Sequence, residues 1–243
     1  MADVNRENLA NYATAWSVSE YTRSRALTPW EARQVAAHFP AAPARILDLG
    51  CGAGRTTIAL AAMGHQVVGI DLADRLLEEA RRLAPGIDVR HMDAAQLTFD
   101  DGSFDAALFS YNGLDCLYPL ATRERCLREV HRVLKPGGVF LLSSHNLLGA
   151  SFSGGFLYVR GWINALGFVR RQLREPLARE WYLAYEDGGG VQHLYSAPPE
   201  RTVGQLIAAG FARVELSGRD GTTDRTRVRW HEAHPQFVAW RDP

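Results

Sequence analysis

Residues 44–59 read ARILDLGCGAGRTTIA, and the reading of this stretch decides the fold. Ile46, Leu47 and Leu49 form a short apolar run, as expected of a strand buried on both faces. The run ends in Gly50, Gly52 and Gly54, and Thr56 to Ala62 then reads as a helix. Strand, glycine turn and helix make the layout of a phosphate or dinucleotide loop. Glycines let the backbone take φ > 0 and remove every Cβ that would block a ligand. A dinucleotide fingerprint needs a glycine where Arg55 stands, and a phosphate loop needs a Lys followed by Ser or Thr. What stands here instead is Asp48-x-Gly50-x-Gly52-x-Gly54.

Downstream, Gln66 to Ile70 reads as a second strand ending in Asp71. A carboxylate there can accept hydrogen bonds from both hydroxyls of a ribose, where nucleotide-binding α/β folds put an acid. Ala73 to Leu83 is an amphipathic helix ended by Pro85-Gly86, and Ile87 to Met92 is a third strand followed by Asp93-Ala94. A turn from Phe99 to Asp105 leads into strand four, Ala106 to Ser110. Its carboxyl end carries Ser110, Tyr111, Asn112 and Asp115. Thr122 to Leu134 is a helix with Leu127, Val130, Val133 and Leu134 on one face. Val139 to Leu142 is the fifth strand, ending Ser143-Ser144-His145-Asn146.

Upstream, residues 1–40 read as helical. Thr28-Pro29-Trp30-Glu31 is a helix start, with Thr28 as cap, Pro29 in the first turn and Glu31 completing a capping box. Residues 147–199 depart from the strand and helix alternation. Trp162 to Leu177 reads as a helix with Arg170, Arg171 and Arg174, and Arg179 just after it. Trp181 to Tyr185 and Val191 to Tyr195 read as a hairpin around Asp187-Gly188-Gly189-Gly190. Thr202 to Ala209 is a helix capped by Gly210, Phe211 to Leu216 a strand, and Gln236 to Trp240 the last strand.

The whole chain sets outer limits. Its 243 residues can bury a full core as one domain with an insertion. Lys plus Arg and Asp plus Glu balance at 27 each, so no global field draws it to nucleic acid or to a membrane. No stretch approaches the ~20 apolar residues of a membrane span. The polar start MADVNRENLANY lacks the apolar core of a signal peptide. Cys51, Cys116 and Cys126 are odd in number and without metal spacing, as in a cytoplasmic protein with reduced thiols and no metal.

The glycine turn, Asp71, Asp93 and the stretch LREVHRVLKPGGVFLLSS together resemble the class I S-adenosylmethionine (SAM) dependent methyltransferases of small-molecule type. The resemblance covers roughly residues 44–146. It implies an α/β, Rossmann-like seven-stranded sheet of order 3-2-1-4-5-7-6 with the last strand antiparallel. A helical N-terminal lid (1–40), a cofactor-binding core (41–146), an inserted substrate cap (147–199) and a closing segment (200–243) would form one domain. It implies SAM as cofactor and S-adenosylhomocysteine as product. Asp48, Gly50, Gly52 and Gly54 would form the methionyl-side turn. Asp71 and Leu72 would meet the ribose, and Asp93 the adenine amino group, with Met92 and Ala94 flanking the ring. Ser110 and the lid residue Tyr21 complete the expected cofactor set, and Tyr12 and Trp16 are further lid candidates.

Methyl transfer is an in-line displacement by a lone pair on the acceptor, so alignment and exclusion of water matter most. A hydroxyl needs a base or prior ionisation; an amine needs only its neutral form. His145 is the first candidate base, because an ordinary histidine pKa of about 6.5 suits that role. His193 and Tyr195 are second candidates. Tyr111, Asn112, Asp115 and Asn146 are candidates to orient a small, polar acceptor. The amide-methylating signature Asn/Asp-Pro-Pro-aromatic is absent, which argues against nucleobase substrates. The cap's polar and aromatic content suggests natural-product or modified-sugar chemistry. An NAD-dependent oxidoreductase and a non-catalytic SAM-binding regulator are the rival readings. Monomer and homodimer are both open.

Overall fold

The computed structural model describes residues 4–152, 170 and 176–243. Its centre is the apolar run that opens the glycine turn. β1 (Arg45–Leu49) is buried at all but its first residue, because β2 (Gln66–Asp71) and β4 (Phe104–Phe109) flank it in parallel and helices cover both faces. β3 (Asp88–His91) pairs outside β2, and β5 (Leu134–Ser143) pairs outside β4. The chain then turns back. β9 (Gln236–Trp240) runs antiparallel to β5, and β8 (Arg213–Ser217) antiparallel to β9.

The sheet order is therefore β3-β2-β1-β4-β5-β9-β8. Numbered by sheet strands alone this is 3-2-1-4-5-7-6, the expected order with the expected reversal. The remaining two strands, β6 (Tyr182–Asp187) and β7 (Gly190–Tyr195), form a separate hairpin. Its turn falls at the glycines read from the sequence. Strand five is longer than expected, because Leu134 to Gly138 join it through an irregular register opposite Phe104 and Ala106.

Helices α4 (Arg55–Ala62), α5 (Asp74–Leu83) and α6 (Leu120–Val133) connect the parallel strands. Three helices precede β1: α1 (Val4–Tyr12), α2 (Ala15–Tyr21) and α3 (Pro29–His38). The capping box at α3 is formed as read, with Thr28 accepting from the Glu31 amide and Glu31 accepting from the Thr28 amide. Helix α7 (Leu147–Phe152) follows β5, α8 (Pro199–Ala208) precedes β8, and α9 (Arg225–His231) precedes β9. The short α9, capped by Asp224, has no counterpart in the sequence reading. Most of the expected helix from Trp162 to Leu177, with Arg171 and Arg174, lies outside the described residues. Pro176–Glu180 form a 3-10 turn.

The largest core cluster joins one sheet face to α6 and α8 through Phe104, Phe140, Leu127, Val130, Leu206 and Phe211. The opposite face packs Ile46, Leu108 and Leu141 against Trp30 and Val35 of α3. The two layers leave the carboxyl ends of β1, β2, β3 and β4 open at one edge, where open α/β sheets bind ligands.

Candidate functional site

At that edge the glycine turn is left-handed at Gly50, Gly52 and Gly54, with φ of +58°, +53° and +81°. The first two glycines answer to different constraints. A Cβ on Gly50 would fall 2.6 Å from the Phe109 ring, so packing within the protein forbids it. A Cβ on Gly52 would meet only Leu76, at 3.7 Å. The space in front of Gly52 is a cavity of about 290 Å³. Gly54 does not line the cavity; it starts α4.

Asp48 stands behind the turn, fully buried. Its Oδ2 accepts from the hydroxyls of Thr56 and Thr57, at 2.6 and 2.5 Å, and Oδ1 has no partner among the described residues. Burial pushes its carboxyl up to about 6, against the pull of the two hydroxyls. Asp48 is thus a brace for the turn and the first turn of α4, a correction to its expected place among the ligand contacts.

Asp71 ends β2 on the cavity wall. Its carboxylate accepts from the amides of Gly52 and Ala73, both at 2.8 Å, and burial raises its pKa while those amides oppose the rise. Leu72, Met92, Asp93 and Ala94 line the next stretch of wall, with Asp93 also accepting from the Ala95 amide. Ser110 and Tyr111 line the wall at the end of β4, and Tyr12 and Tyr21 face it from the N-terminal helices, their rings 5.7 Å apart. The structure therefore gathers eight expected residues around one cavity besides Gly50 and Gly52: Tyr21, Asp71, Leu72, Met92, Asp93, Ala94, Ser110 and Tyr111.

Arg55 had counted only against a dinucleotide. It is buried in the wall and forks onto Glu31 of α3, with both contacts at 2.8 Å. It also donates to Ser110 Oγ at 2.5 Å, and its guanidinium lies 4.1 Å from the Tyr111 ring centre. Burial alone would raise the Glu31 pKa, but the Arg55 bonds and charge outweigh it and hold the carboxylate ionised. Such a pair is costly to break from one side. It ties the lid helix to the glycine turn.

The lid is also tied to the hairpin. Asn5, Asn8 and Asn11 recur every third residue on α1. Asn8 exchanges two bonds with the backbone of His193 (2.8 and 2.9 Å), and Asn11 donates to Val191 O at 2.5 Å. Asn5 exchanges two bonds with the backbone of Tyr118. A Cβ on Gly188 at the hairpin tip would lie 2.4 Å from the Trp16 ring. Lid and hairpin form one cover.

A second polar group lies beside the Tyr111–Gly113 rim. Asp115, in the 3-10 turn Gly113–Cys116, is fully buried. Its Oδ1 accepts from Arg123 (2.6 Å) and Ser144 (2.7 Å), and its Oδ2 from the His145 amide (2.6 Å) and His145 Nδ1 (2.7 Å). Arg123 is itself fully buried, with its guanidinium 4.2 Å from the Tyr195 ring centre. His145 Nε2 stands 3.5 Å from Asn112 Nδ2, which reaches His234 Nδ1 at 3.0 Å. Asn112 Oδ1 is buried and has no partner among the described residues. Tyr111 and Asn112 both take left-handed φ, +48° and +58°, a strained conformation for side-chain-bearing residues. Burial first, and then the neighbouring His145, depress His234 to about 4, so its ring is neutral near pH 7.

Four expectations need correction here. Asn146 is wholly buried. Its amide donates to the carbonyls of Val228, Arg229 and Glu232, and its oxygen accepts from the Leu148 amide, so it caps two helices and cannot reach an acceptor. Asp115 has no free face for an acceptor, because four donors occupy it. Tyr195 packs under Arg123 and bonds Gln205 at 3.3 Å, and it lines a different cavity between α6 and α8. His193 sits on β7 with its backbone held by Asn8 and is not part of the cavity wall. His145 is also outside that wall, one hydrogen-bond step behind the rim.

Arg123 carried a signal that went unread. It falls four residues before Leu127 and seven before Val130, on the apolar stripe of α6, and a charge on a buried stripe needs a buried partner. Among the described residues no group of His, Cys, Asp and Glu is arranged to hold a metal, and no helix is long and apolar enough to cross a membrane.

The cavity suits a nucleoside. The open face of Gly52 admits a ligand close to the backbone, Asp71 offers a carboxylate to hydroxyls, and Asp93 offers a second between apolar Met92 and Ala94. Comparison with known proteins agrees. A methyltransferase-domain family profile matches residues 46–138. A demethylmenaquinone methyltransferase of Clavibacter sepedonicus is 41% identical over 112 residues, 45% of this chain and 44% of that protein. A ubiquinone biosynthesis O-methyltransferase of Xanthomonas oryzae is 35% identical over 133 residues, 53% of this chain and 54% of that protein. The chain spans about half the length of these curated relatives. A crystal structure of a SAM-dependent methyltransferase from Methanosarcina mazei shares the fold with a TM-score of 0.66 at 21% identity, covering 89% of this chain and 98% of that one.

Proposed function

We propose that this chain, whose residues 46–138 match a methyltransferase-domain profile, moves a methyl group from SAM to a hydroxyl or amine of a small polar molecule. One observation carries this reading: the glycine turn, Asp71 and Asp93 share one cavity, faced from the N-terminal helices by Tyr12 and Tyr21. SAM bound there supplies a methyl on a positively charged sulfur. The chain's own residues then bind, align and exclude water. The glycine turn lies along the methionyl part, Asp71 takes the ribose hydroxyls, and Asp93 takes the adenine amino group with Met92 and Ala94 against the ring. Tyr12 and Tyr21 close the cavity from the lid, keeping water from competing with the acceptor.

The acceptor would enter past the ends of β4 and β5, at Tyr111 and Asn112. The two quinone-pathway relatives make ring-borne acceptors worth trying first, alongside natural-product and sugar compounds. The family match ends at residue 138, before the elements that build this side. The chain would act as a cytoplasmic monomer or homodimer on free small molecules, with neither nucleic acid nor membrane as partner.

Calorimetry with SAM, S-adenosylhomocysteine and NAD in turn tests the reading. SAM and its product should bind at one site, and NAD should not. Binding of NAD in preference to SAM would sink the proposal.

A further inference from the structure

The acceptor side differs from the cofactor side in how its charges are disposed. Two carboxylates touch the ends of β4 and β5 among the described residues. Glu31 reaches Ser110 but is neutralised by the Arg55 fork. Asp115 reaches Ser144 and His145 but is neutralised by Arg123 and wholly buried. Neither offers a free negative charge to an ammonium group. His234, the nearest other titratable ring, is neutral. Among the described residues, no free carboxylate there faces a protonated amine.

A base is nevertheless built just behind the Tyr111–Asn112 rim, its Nε2 3.5 Å from Asn112 Nδ2. Asp115 Oδ2 lies 2.7 Å from Nδ1 of His145 and 2.6 Å from its backbone amide, so ring and chain are held by one carboxylate oxygen. A carboxylate can only accept, so Nδ1 carries the proton and Nε2 keeps its lone pair. That is the tautomer a general base needs. The ring is packed at 5.4 Å from Tyr185 and 5.0 Å from His234, edge-on to the latter. The titratable and charged groups facing it are Asp115 from the 3-10 turn, Arg123 of α6 behind that carboxylate, Tyr185 of β6 and His234 before β9. A fully buried Asp–Arg pair is costly to assemble. A neutral amine, which brings its own lone pair, needs no base during transfer.

Building on the methyl-transfer reading above, we infer that the acceptor is a hydroxyl and that Asp115, held by Arg123, positions His145 to take its proton. The acceptor oxygen bonds to the methyl carbon while the carbon–sulfur bond breaks, its electron pair going to sulfur and discharging it. The hydroxyl proton passes to His145 Nε2 and later to water. Products are the methyl ether and S-adenosylhomocysteine, and the imidazolium formed keeps its Nδ1–H bond to Asp115 Oδ2 until the proton leaves. His145 is the catalytic residue here, and Asp115 and Arg123 are positioning residues.

The test uses the full chain, SAM labelled with ¹³C in the methyl group, and a small-molecule extract of cells grown on ¹⁵N. The labelled product carbon should have a methoxy shift and show no one-bond coupling to ¹⁵N. His145→Gln should lower its rate of formation ~10²–10⁴-fold with SAM affinity unchanged. Imidazole ¹⁵N spectra of the parent should show His145 protonated at Nδ1, and Asp115→Asn should lower the rate with SAM affinity unchanged. Should Asp115→Asn fail to fold, the parent's tautomer still decides the positioning role. A labelled carbon coupled to ¹⁵N, one bonded to carbon, a parental rate in His145→Gln, or His145 protonated at Nε2 each overturns the inference while methyl transfer stands. SAM bound with no labelled product overturns the methyl-transfer proposal itself.

Discussion

The cofactor edge and the acceptor edge of this sheet are built by different means. At β1 and β2 the wall is set by backbone: a left-handed glycine turn, and an Asp71 carboxylate held by the amides of Gly52 and Ala73. At β4 and β5 the wall is side chain on side chain. Asp115, Arg123, Ser144 and His145 meet there from a turn, a helix and a strand end. A backbone site depends on spacing along the chain, so it changes little when outer elements vary. A side-chain site depends on the register of several elements at once. The first can bind one common ligand in many proteins, and the second can be rebuilt for each acceptor.

The sharpest way to break this contrast is to remove one buried charge from the acceptor side. Arg123→Ala leaves the Asp115 carboxyl buried without its cation. Urea unfolding should show a loss of about 3–5 kcal/mol. A loss below about 1 kcal/mol would mean that the network is dispensable and that the two edges are alike. On the cofactor side the comparable change acts on the ligand. Gly52→Val faces the open cavity, where its Cβ meets little protein. It should fold with a penalty of about 1–2 kcal/mol for left-handed backbone and lose SAM affinity by more than about a hundredfold, roughly 3 kcal/mol. Parental affinity in calorimetry would show that the turn does not touch the ligand.

The same contrast explains what the sequence made legible. The sheet order, the hairpin and the cofactor wall follow from contiguous signals: an apolar run, three spaced glycines, an acid at a strand end. Asp48 belongs to that motif but stands behind the cavity wall, because spacing does not tell a brace from a wall. Asn146 looked poised at a strand end, but its amide caps α9, a helix whose weak pattern gave no warning. Asp115 and His145 were both singled out, yet their joining through a single oxygen depends on how the 3-10 turn packs against β5. No spacing rule encodes that. Arg55 and Arg123 are the instructive pair. Each breaks a local pattern, a fingerprint in one case and an apolar stripe in the other, and each proves to be the cation of a buried ion pair.

Asp71→Ala sharpens the comparison from the other direction. Removing a carboxylate that takes two hydroxyls should cost ~1.5–3 kcal/mol of SAM binding, ten- to a hundredfold. KM for the acceptor should stay put, because the amides that hold Asp71 belong to Gly52 and Ala73 on the cofactor side. A rise in acceptor KM with unchanged SAM affinity would reverse the assignment of the two edges.

The smallest effect is one of opposite sign at the two edges, and it comes from acid. His234 on the acceptor side is depressed to about 4 by burial and by His145, against about 6.5 when unfolded. Between those values the unfolded chain binds more protons than the native one. Stability from this group is therefore complete above about pH 6.5 and is lost as pH falls toward 4. The full shift corresponds to roughly 3 kcal/mol, and partial contact with solvent reduces it to about 1–2 kcal/mol. Asp48 behind the cofactor turn is raised to about 6 by burial, against about 3.9 unfolded. There the native chain binds more protons in the window, so its contribution rises as pH falls from 6 to 4. Other groups titrate in the same range, so the parent alone would show only a sum. Differences between variants isolate the two terms. His234→Gln has no proton to gain, and its stability relative to the parent should improve by about 1–2 kcal/mol on going from pH 7 to pH 4.5. Asp48→Asn stands in for the protonated acid, so its advantage over the parent should be largest at pH 7 and shrink toward pH 4.5. Denaturant melts of the three proteins at the two pH values read both gaps directly. Gaps moving in the same direction would mean that acid does not distinguish the backbone-built edge from the side-chain-built one.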